Sequence, residues 1–269
     1  MIQRIASPNY KLFKGVRKLE PLQYHIKCRK NEVNKAVLLP GDIERADYIG
    51  TNFFRDSEKI AENREFHIYN GSYENKPMAV CSTGIGCMSA AVAIEELINI
   101  GCKYFIRVGT CGTLSSKINP GDIIIATGAV RGDGASKEYI PIEYPAVADY
   151  RTVTALQNRA KKENSDYNLG IIRTHDAFYM ESPFAFGDYK KRVAIWAEAG
   201  TLAIENESST LFVIGSLKKV QVGSILVAAG NLITGKKGTK DKLQKSIYKA
   251  ITIAAGALVD LQEKEEGKI

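Results

Sequence analysis

Residues 103–112 read KYFIRVGTCG, an apolar run that passes into a glycine-rich turn. Tyr104, Phe105, Ile106 and Val108 are what a buried strand needs, and Gly109 and Gly112 punctuate its end. Arg107 is out of place there, because a guanidinium in an apolar strand is costly to bury without a partner. Upstream, MSAAVAIEELINIG (88–101) repeats its apolar residues with helical period and stops at a glycine. Downstream, GDIIIATGAV (121–130) reads as another strand.

The same alternation extends along the chain. KAVLLPGD (35–42) is a buried strand stopped by Pro-Gly, and REFHIYNGSYENKPMAVCSTG (64–84) predicts adjacent strands joined by tight turns at Asn-Gly and Glu-Asn. Helices are expected near 149–163 and 186–200, strands near 169–174 and 224–229, and a last helix from Lys240 to Glu263. Alternating strands and helices predict one α/β domain around a mostly parallel or mixed sheet. The basic stretch 1–20 reads as an N-terminal arm, leaving 21–269 as the domain. Ligands of such sheets sit beyond the strand C-termini, where the unusual residues fall.

The chain has 269 residues, 45% of them hydrophobic and 25% charged, an ordinary globular balance. Its 37 Lys+Arg against 30 Asp+Glu leave a net charge of +7. Much of the excess lies in GKKGTKDKLQK (235–245) and NYKLFKGVRK (9–18), without the interleaved aromatics of a nucleic-acid surface. A small anionic substrate fits the charge. Five cysteines (28, 81, 87, 102 and 111) without C-x-x-C spacing argue against a disulfide framework or zinc site and for a reducing compartment. With no apolar leader and no membrane-spanning run, a cytoplasmic protein is expected.

Four constellations could carry chemistry. PGDIER sets Gly41 at a strand end and Arg45 four residues on, either an anion-binding turn or a surface turn with a solvated arginine. Arg107 with Gly109, Thr110 and Gly112 could hold phosphate oxygens, or Arg107 could pair with a buried carboxylate. STGIGCMSAAVAIEEL places Gly84 and Gly86 as in a dinucleotide fingerprint, but Ser89 replaces the third glycine and no acidic residue follows at the expected distance. A turn packed closely on the sheet explains it better. In TLAIENESSTLF (201–212), Glu205 and Glu207 would point the same way on a strand and could accept from a vicinal diol. If a helix starts there, they are instead charges favourable to its dipole. No nucleophile–base pair accompanies them, and His25, His67 and His175 are scattered.

PGDIER, NREF, STGIG, RVGTCG, DGAS with YPAVADY, and ENES occur in this order at family-like spacing. The ordered set resembles the nucleoside phosphorylases of the uridine phosphorylase and hexameric purine nucleoside phosphorylase type. The likeness runs from about His25 to the C-terminal helix and is closest to the uridine enzymes around DGASKEYIPIEYPAVADY (133–150). It implies a single α/β domain whose mixed sheet closes partly into a barrel flanked by helices. The implied pentosyl transfer is reversible phosphorolysis of a nucleoside, uridine first, to free base and ribose 1-phosphate, a salvage reaction. No cofactor or metal centre is implied, since inorganic phosphate is a co-substrate. Some members hold a monovalent cation between subunits, and Glu65 and Ser89 stand at positions similar to its ligands. The partners implied are nucleoside and phosphate, not nucleic acid or membrane, in a homodimer or a homohexamer of three dimers with shared active sites.

By the same resemblance, Gly41, Arg45, Arg107 and Thr110 bind phosphate, with Arg64 from the neighbouring subunit. Glu205, Asn206 and Glu207 face the ribose, and the neighbour's His25 its 5′ hydroxyl. Phe178, Cys111, Gly112 and Asn231 surround the base, with Phe178 stacking on it. Arg107, Thr110 and Glu207 are the expected catalytic residues. Three positions depart from the family pattern. Asn206 replaces the usual methionine, ILVAAGNLITG (225–235) lacks the aspartate of purine-specific members, and AFYMESPFAFGDY (177–189) lacks the Gln and Arg that read a pyrimidine edge. In that last segment Glu181 and Ser182 offer polar atoms, but neither replaces an amide–guanidinium pair. A purine nucleoside phosphorylase with an atypical base site and a non-catalytic nucleoside-binding relative are the alternatives.

Overall fold

A computed structural model describes residues 21–179, 182, 184 and 187–267; the expected arm (1–20) and Glu181 lie outside them. Strand β1 (Ala36–Leu39) is wholly buried, and Pro40-Gly41 ends it. Asp42 then caps α1 (Ile43–Tyr48), its carboxylate accepting from the Glu44 N–H at 3.1 Å. A π-helical turn, Ile49–Phe53, leads into β2 (Arg55–Asn63), β3 (Phe66–Tyr73) and β4 (Lys76–Cys81). Glu74 and Asn75 both take left-handed φ, 47° and 62°, as a tight hairpin turn requires. The Asn70-Gly71 pair, expected as a turn, lies inside β3 instead. Glycine is needed there for packing, because a Cβ at residue 71 would stand 2.7 Å from the Phe54 Cβ.

Helix α2 (Cys87–Asn99) feeds β5 (Tyr104–Thr113), the strand of KYFIRVGTCG. After β6 (Ile123–Gly132) come α3 (Ala135–Tyr139), β7 (Ala146–Val147) and α4 (Tyr150–Lys162), the last capped by Asp149. Then follow β8 (Asn168–His175), α5 (Tyr189–Glu198) and β9 (Ala203–Glu205). Helix α6 (Ser208–Lys218), β10 (Gln221–Asn231) and α7 (Lys240–Glu266) complete the fold.

The sheet is mixed, in the order β10-β6-β8-β9-β5-β1-β4-β3-β2. A further parallel pairing of β10 with β5 closes the first five strands into a barrel, and β1, β4, β3 and β2 extend from it. Irregular registers at Ala228/Gly230 in β10 and Ala126/Gly128 in β6 give the bends that closure needs. Helices cover both faces of the sheet. One core cluster joins α2 and α6 to it, and the other joins α4 and α7. No helix among the described residues is long and apolar enough to cross a membrane.

Two elements escape periodicity. β2 is polar and mostly exposed, and exists by pairing with β3. α6 is buried from Ser208 to Gly215, so its apolar residues face every direction and leave no stripe.

Candidate active site

At the C-terminal end of β5 a cavity of about 840 Å³ opens. Its lining includes Gly41 and Arg45 from the β1–α1 turn, Arg107 and Thr110 from β5, Glu65, Gly84, Phe178, Asn206 and Glu207. Six of the segments singled out in the sequence thus converge on one hollow.

Arg107 is the centre of it. Its guanidinium is buried, with Nε donating to Glu205 Oε2 at 3.0 Å and Nη2 paired with Glu207 Oε2. Burial alone would push the Arg107 pKa down, but the charges of Glu207 and Glu205 outweigh it and hold it above its ordinary value. Gly109 makes the pose possible, because a Cβ there would stand 2.7 Å from Arg107 Nη2. A second guanidinium, Arg45, donates through Nη1 to the Val108 carbonyl at 3.1 Å. Burial lowers its pKa, Asp42 partly offsets this, and the like charge of Arg107 lowers it further. Two arginines close enough that the charge of Arg107 depresses Arg45 can hold an anion between them.

The two glutamates do not point the same way along one strand, as an extended reading required. β9 ends at Glu205, and Glu207 is the N-cap of α6. Glu205 is enclosed by protein donors: the backbone N–H groups of Glu207 and Ser208, and the hydroxyls of Ser208 (2.9 Å) and Thr174 (2.5 Å), in addition to Arg107. It therefore caps α6 and grips Arg107 rather than facing the cavity. Glu207 does face it, with Oε1 anchored by the Gly86 N–H at 2.7 Å. Burial and the like charge of Glu205 leave the Glu207 carboxyl above its usual range even with Arg107 beside it. The turn takes left-handed φ at Gly84 (71°) and Gly86 (95°); it is closely packed at Gly84, where a Cβ would stand 2.8 Å from Ser89 Oγ, and open at Gly86, whose N–H orients Glu207.

Asn206 lines the cavity and its Nδ2 donates to the His175 carbonyl at 2.5 Å. Phe178 lines it too, with its ring 64% exposed and free to cover a ligand face. Asn231, expected at the base, does not reach the cavity. Its amide binds the Ser115 and Ile118 carbonyls, each at 2.8 Å, and the Ile233 and Thr234 N–H groups, each at 2.9 Å. That set saturates the side chain and shapes the loop after β10. Cys111 is buried with its thiol on the Val227 carbonyl, and Gly112 lies under Leu232, so neither is in the lining.

His25 and Arg64 also stand outside this cavity. His25 is clamped by Glu96, which accepts from its backbone N–H and, at 2.8 Å, from ring Nδ1, while Asn63 binds its carbonyl. Arg64 is exposed at the β2–β3 turn with φ 56°. Beside it, Glu65 Oε1 accepts from Ser89 Oγ at 2.7 Å, a bond that holds the carboxyl below its ordinary pKa.

One support of the site escapes residue-level reading. Asp133 is fully buried, accepting from the hydroxyls of Ser209, Thr210 and Ser136, and it ties the β6 end to the first turn of α6. The sequence signal is DGAS, which does not name its partners, Ser209 and Thr210 of the ENESST segment, because only closure of the barrel brings them together.

A family profile described as "Phosphorylase superfamily" matches residues 35–263. The chain is 38% identical over 246 residues to the guanosine phosphorylase of Halorubrum lacusprofundi, covering 89% of this chain and 99% of that one. It is also 38% identical over 240 residues to the uridine phosphorylase of Treponema pallidum, covering 88% and 93%. The crystal structure of uridine phosphorylase from Vibrio fischeri superposes with a TM-score of 0.80 at 30% identity, covering 91% of this chain and 100% of that one. With its barrel, its paired arginines and this extent of likeness, the chain belongs to the phosphorylase superfamily.

Proposed function

We propose that the protein is a nucleoside phosphorylase, a pentosyltransferase that cleaves a nucleoside, uridine first, with inorganic phosphate. The observation that carries this is Arg107, buried between Glu205 and Glu207 with Arg45 beside it. Phosphate held by Arg45, Arg107, Thr110 and the Gly41 turn would lie beneath the sugar. Glu207 has donors at Arg107 and Gly86 and still faces the cavity, which suits it to accept from the ribose diol. Glu205 then acts through Arg107 and the α6 N-terminus.

In the reaction the C1′–N bond breaks with its electron pair going to the base. A phosphate oxygen forms the new C1′–O bond, and the proton of hydrogenphosphate ends on the base. The oxocarbenium-like sugar is stabilised by the phosphate and by the Glu207 carboxylate. Holding the two reactants in line provides much of the remaining acceleration. Asn206 would contact the sugar and Phe178 the base.

His25 and Arg64, which do not line their own cavity, are suited to complete a neighbour's, in a homodimer or a hexamer of dimers. Glu65 with Ser89 is the place for a monovalent cation between copies. Buried, unpaired cysteines agree with a cytoplasmic setting. A purine nucleoside is the second reading, favoured by the likeness to a guanosine phosphorylase. The test is a panel of uridine, thymidine, inosine, guanosine, adenosine and methylthioadenosine, each with and without phosphate. Phosphate-dependent base release from uridine is expected, and folded protein that turns over none of them would refute the reading.

A further inference from the structure

Helix α1, which carries Arg45, is held from behind by a polar cluster that the proposed reaction does not use. Asp47 lies two residues after Arg45 on that helix. Its Oδ1 accepts from the Tyr69 hydroxyl at 2.9 Å and pairs with His67 Nδ1 at 2.8 Å, both from β3. Tyr69 reaches it because residue 50 is glycine; a Cβ there would stand 2.3 Å from the tyrosine ring. On its other side His67 Nε2 lies 3.7 Å from Glu62 of β2, which Lys59 holds at 2.6 Å. The His67 backbone N–H binds Ser82 Oγ, which donates to the carbonyl of Glu65, itself in the cavity lining.

A six-residue helix is too short to hold its own place, and its orientation must come from tertiary contacts. Among the described residues the Arg45 guanidinium makes one hydrogen bond, to Val108, so that bond alone does not set where the charge points. The clamp on Asp47 supplies a second fixed point about half a turn away on the same helix. We infer that Asp47, gripped by His67 and Tyr69, is a positioning residue that keeps Arg45 aimed at the anion site beside Arg107. The inference rests on the phosphorylase reading for its substrate, but the clamp itself does not.

The test measures KM for phosphate, KM for nucleoside, kcat and melting temperature in the wild type, Asp47→Asn and Tyr69→Phe. Misplacing a binding group by a fraction of an ångström should raise the phosphate KM of Asp47→Asn about ten-fold while the nucleoside KM stays within about two-fold. Tyr69→Phe, which removes one of the two donors, should fall between. Asp47→Glu, which keeps the carboxylate, should recover part of the loss. A lowered melting temperature with both KM values unchanged, or both raised together, would overturn the inference. If Asp47→Asn does not fold, Tyr69→Phe decides alone on the same criterion. A wild type without phosphate-dependent turnover would count against the phosphorylase reading instead. Calorimetric binding of inorganic phosphate to wild type and Tyr69→Phe then tests the clamp, and equal affinity overturns it.

Discussion

Arg107 neutralises two buried carboxylates, and in the proposed reaction it also binds the phosphate. Arg107→Ala should therefore lower kcat by about 10²–10³-fold. It should also destabilise the fold by about 3–5 kcal/mol, because Glu205 and Glu207 lose their cation. Steady-state kinetics and chemical denaturation check the two effects separately; inactivity with unchanged stability would mean that the carboxylates find other compensation. Asn206 departs from the methionine usual in the family, and the structure supplies a reason: its amide ties β9 to the His175 carbonyl. Asn206→Met should cost about 1 kcal/mol through that lost bond, read by denaturant midpoint. The sequence showed both glutamates and the arginine but not which of the glutamates faces the cavity. Period-two alternation put Glu205 and Glu207 on one face, whereas the break between β9 and α6 turns Glu205 inward and Glu207 outward.

Groups at the ends of β8 and β6 shape the pH response. Burial, with Arg173 nearby, lowers His175 from the usual 6.5 to about 4. The unfolded chain thus binds a proton between these values that the folded one refuses, so stability is intact above pH 6.5 and falls towards pH 4. Asp133 acts in the lower window. Its hydroxyl and amide donors outweigh its burial and depress its pKa, so its contribution is present above 3.8 and fades below it. His175→Gln should flatten the loss of stability between pH 6.5 and 4.5, measured by urea unfolding; an unchanged slope would assign that loss to other groups. Strands β1, β5 and β6 were readable because unbroken apolar runs end at Pro or Gly. Helix α6 was not, since complete burial erases its stripe, and β2 was not, since only its partner strand makes it a strand.

The closed barrel brings the β1–α1 turn, the end of β5 and the β9–α6 junction around one cavity, from positions as distant in the chain as Gly41 and Glu207. The order of motifs conveyed this family arrangement, while the exclusion of Asn231, Cys111 and Gly112 from the lining depended on loop packing that no spacing encodes. His25 and Arg64 do not line their own cavity, and the proposed sharing of sites predicts an active unit of at least a dimer. Mixing inactive Arg45→Ala with inactive His25→Ala and allowing subunit exchange should restore activity, because one composite site becomes intact. Mixed dimers seen by native mass spectrometry without recovered activity would contradict site sharing. Phosphate dependence is the most direct consequence of the proposed roles of Arg107 and Arg45. Uracil release from uridine, followed spectrophotometrically with and without phosphate, should occur only with phosphate and yield ribose 1-phosphate in equal amount. Uracil released at the same rate without phosphate, with free ribose as the product, would contradict it.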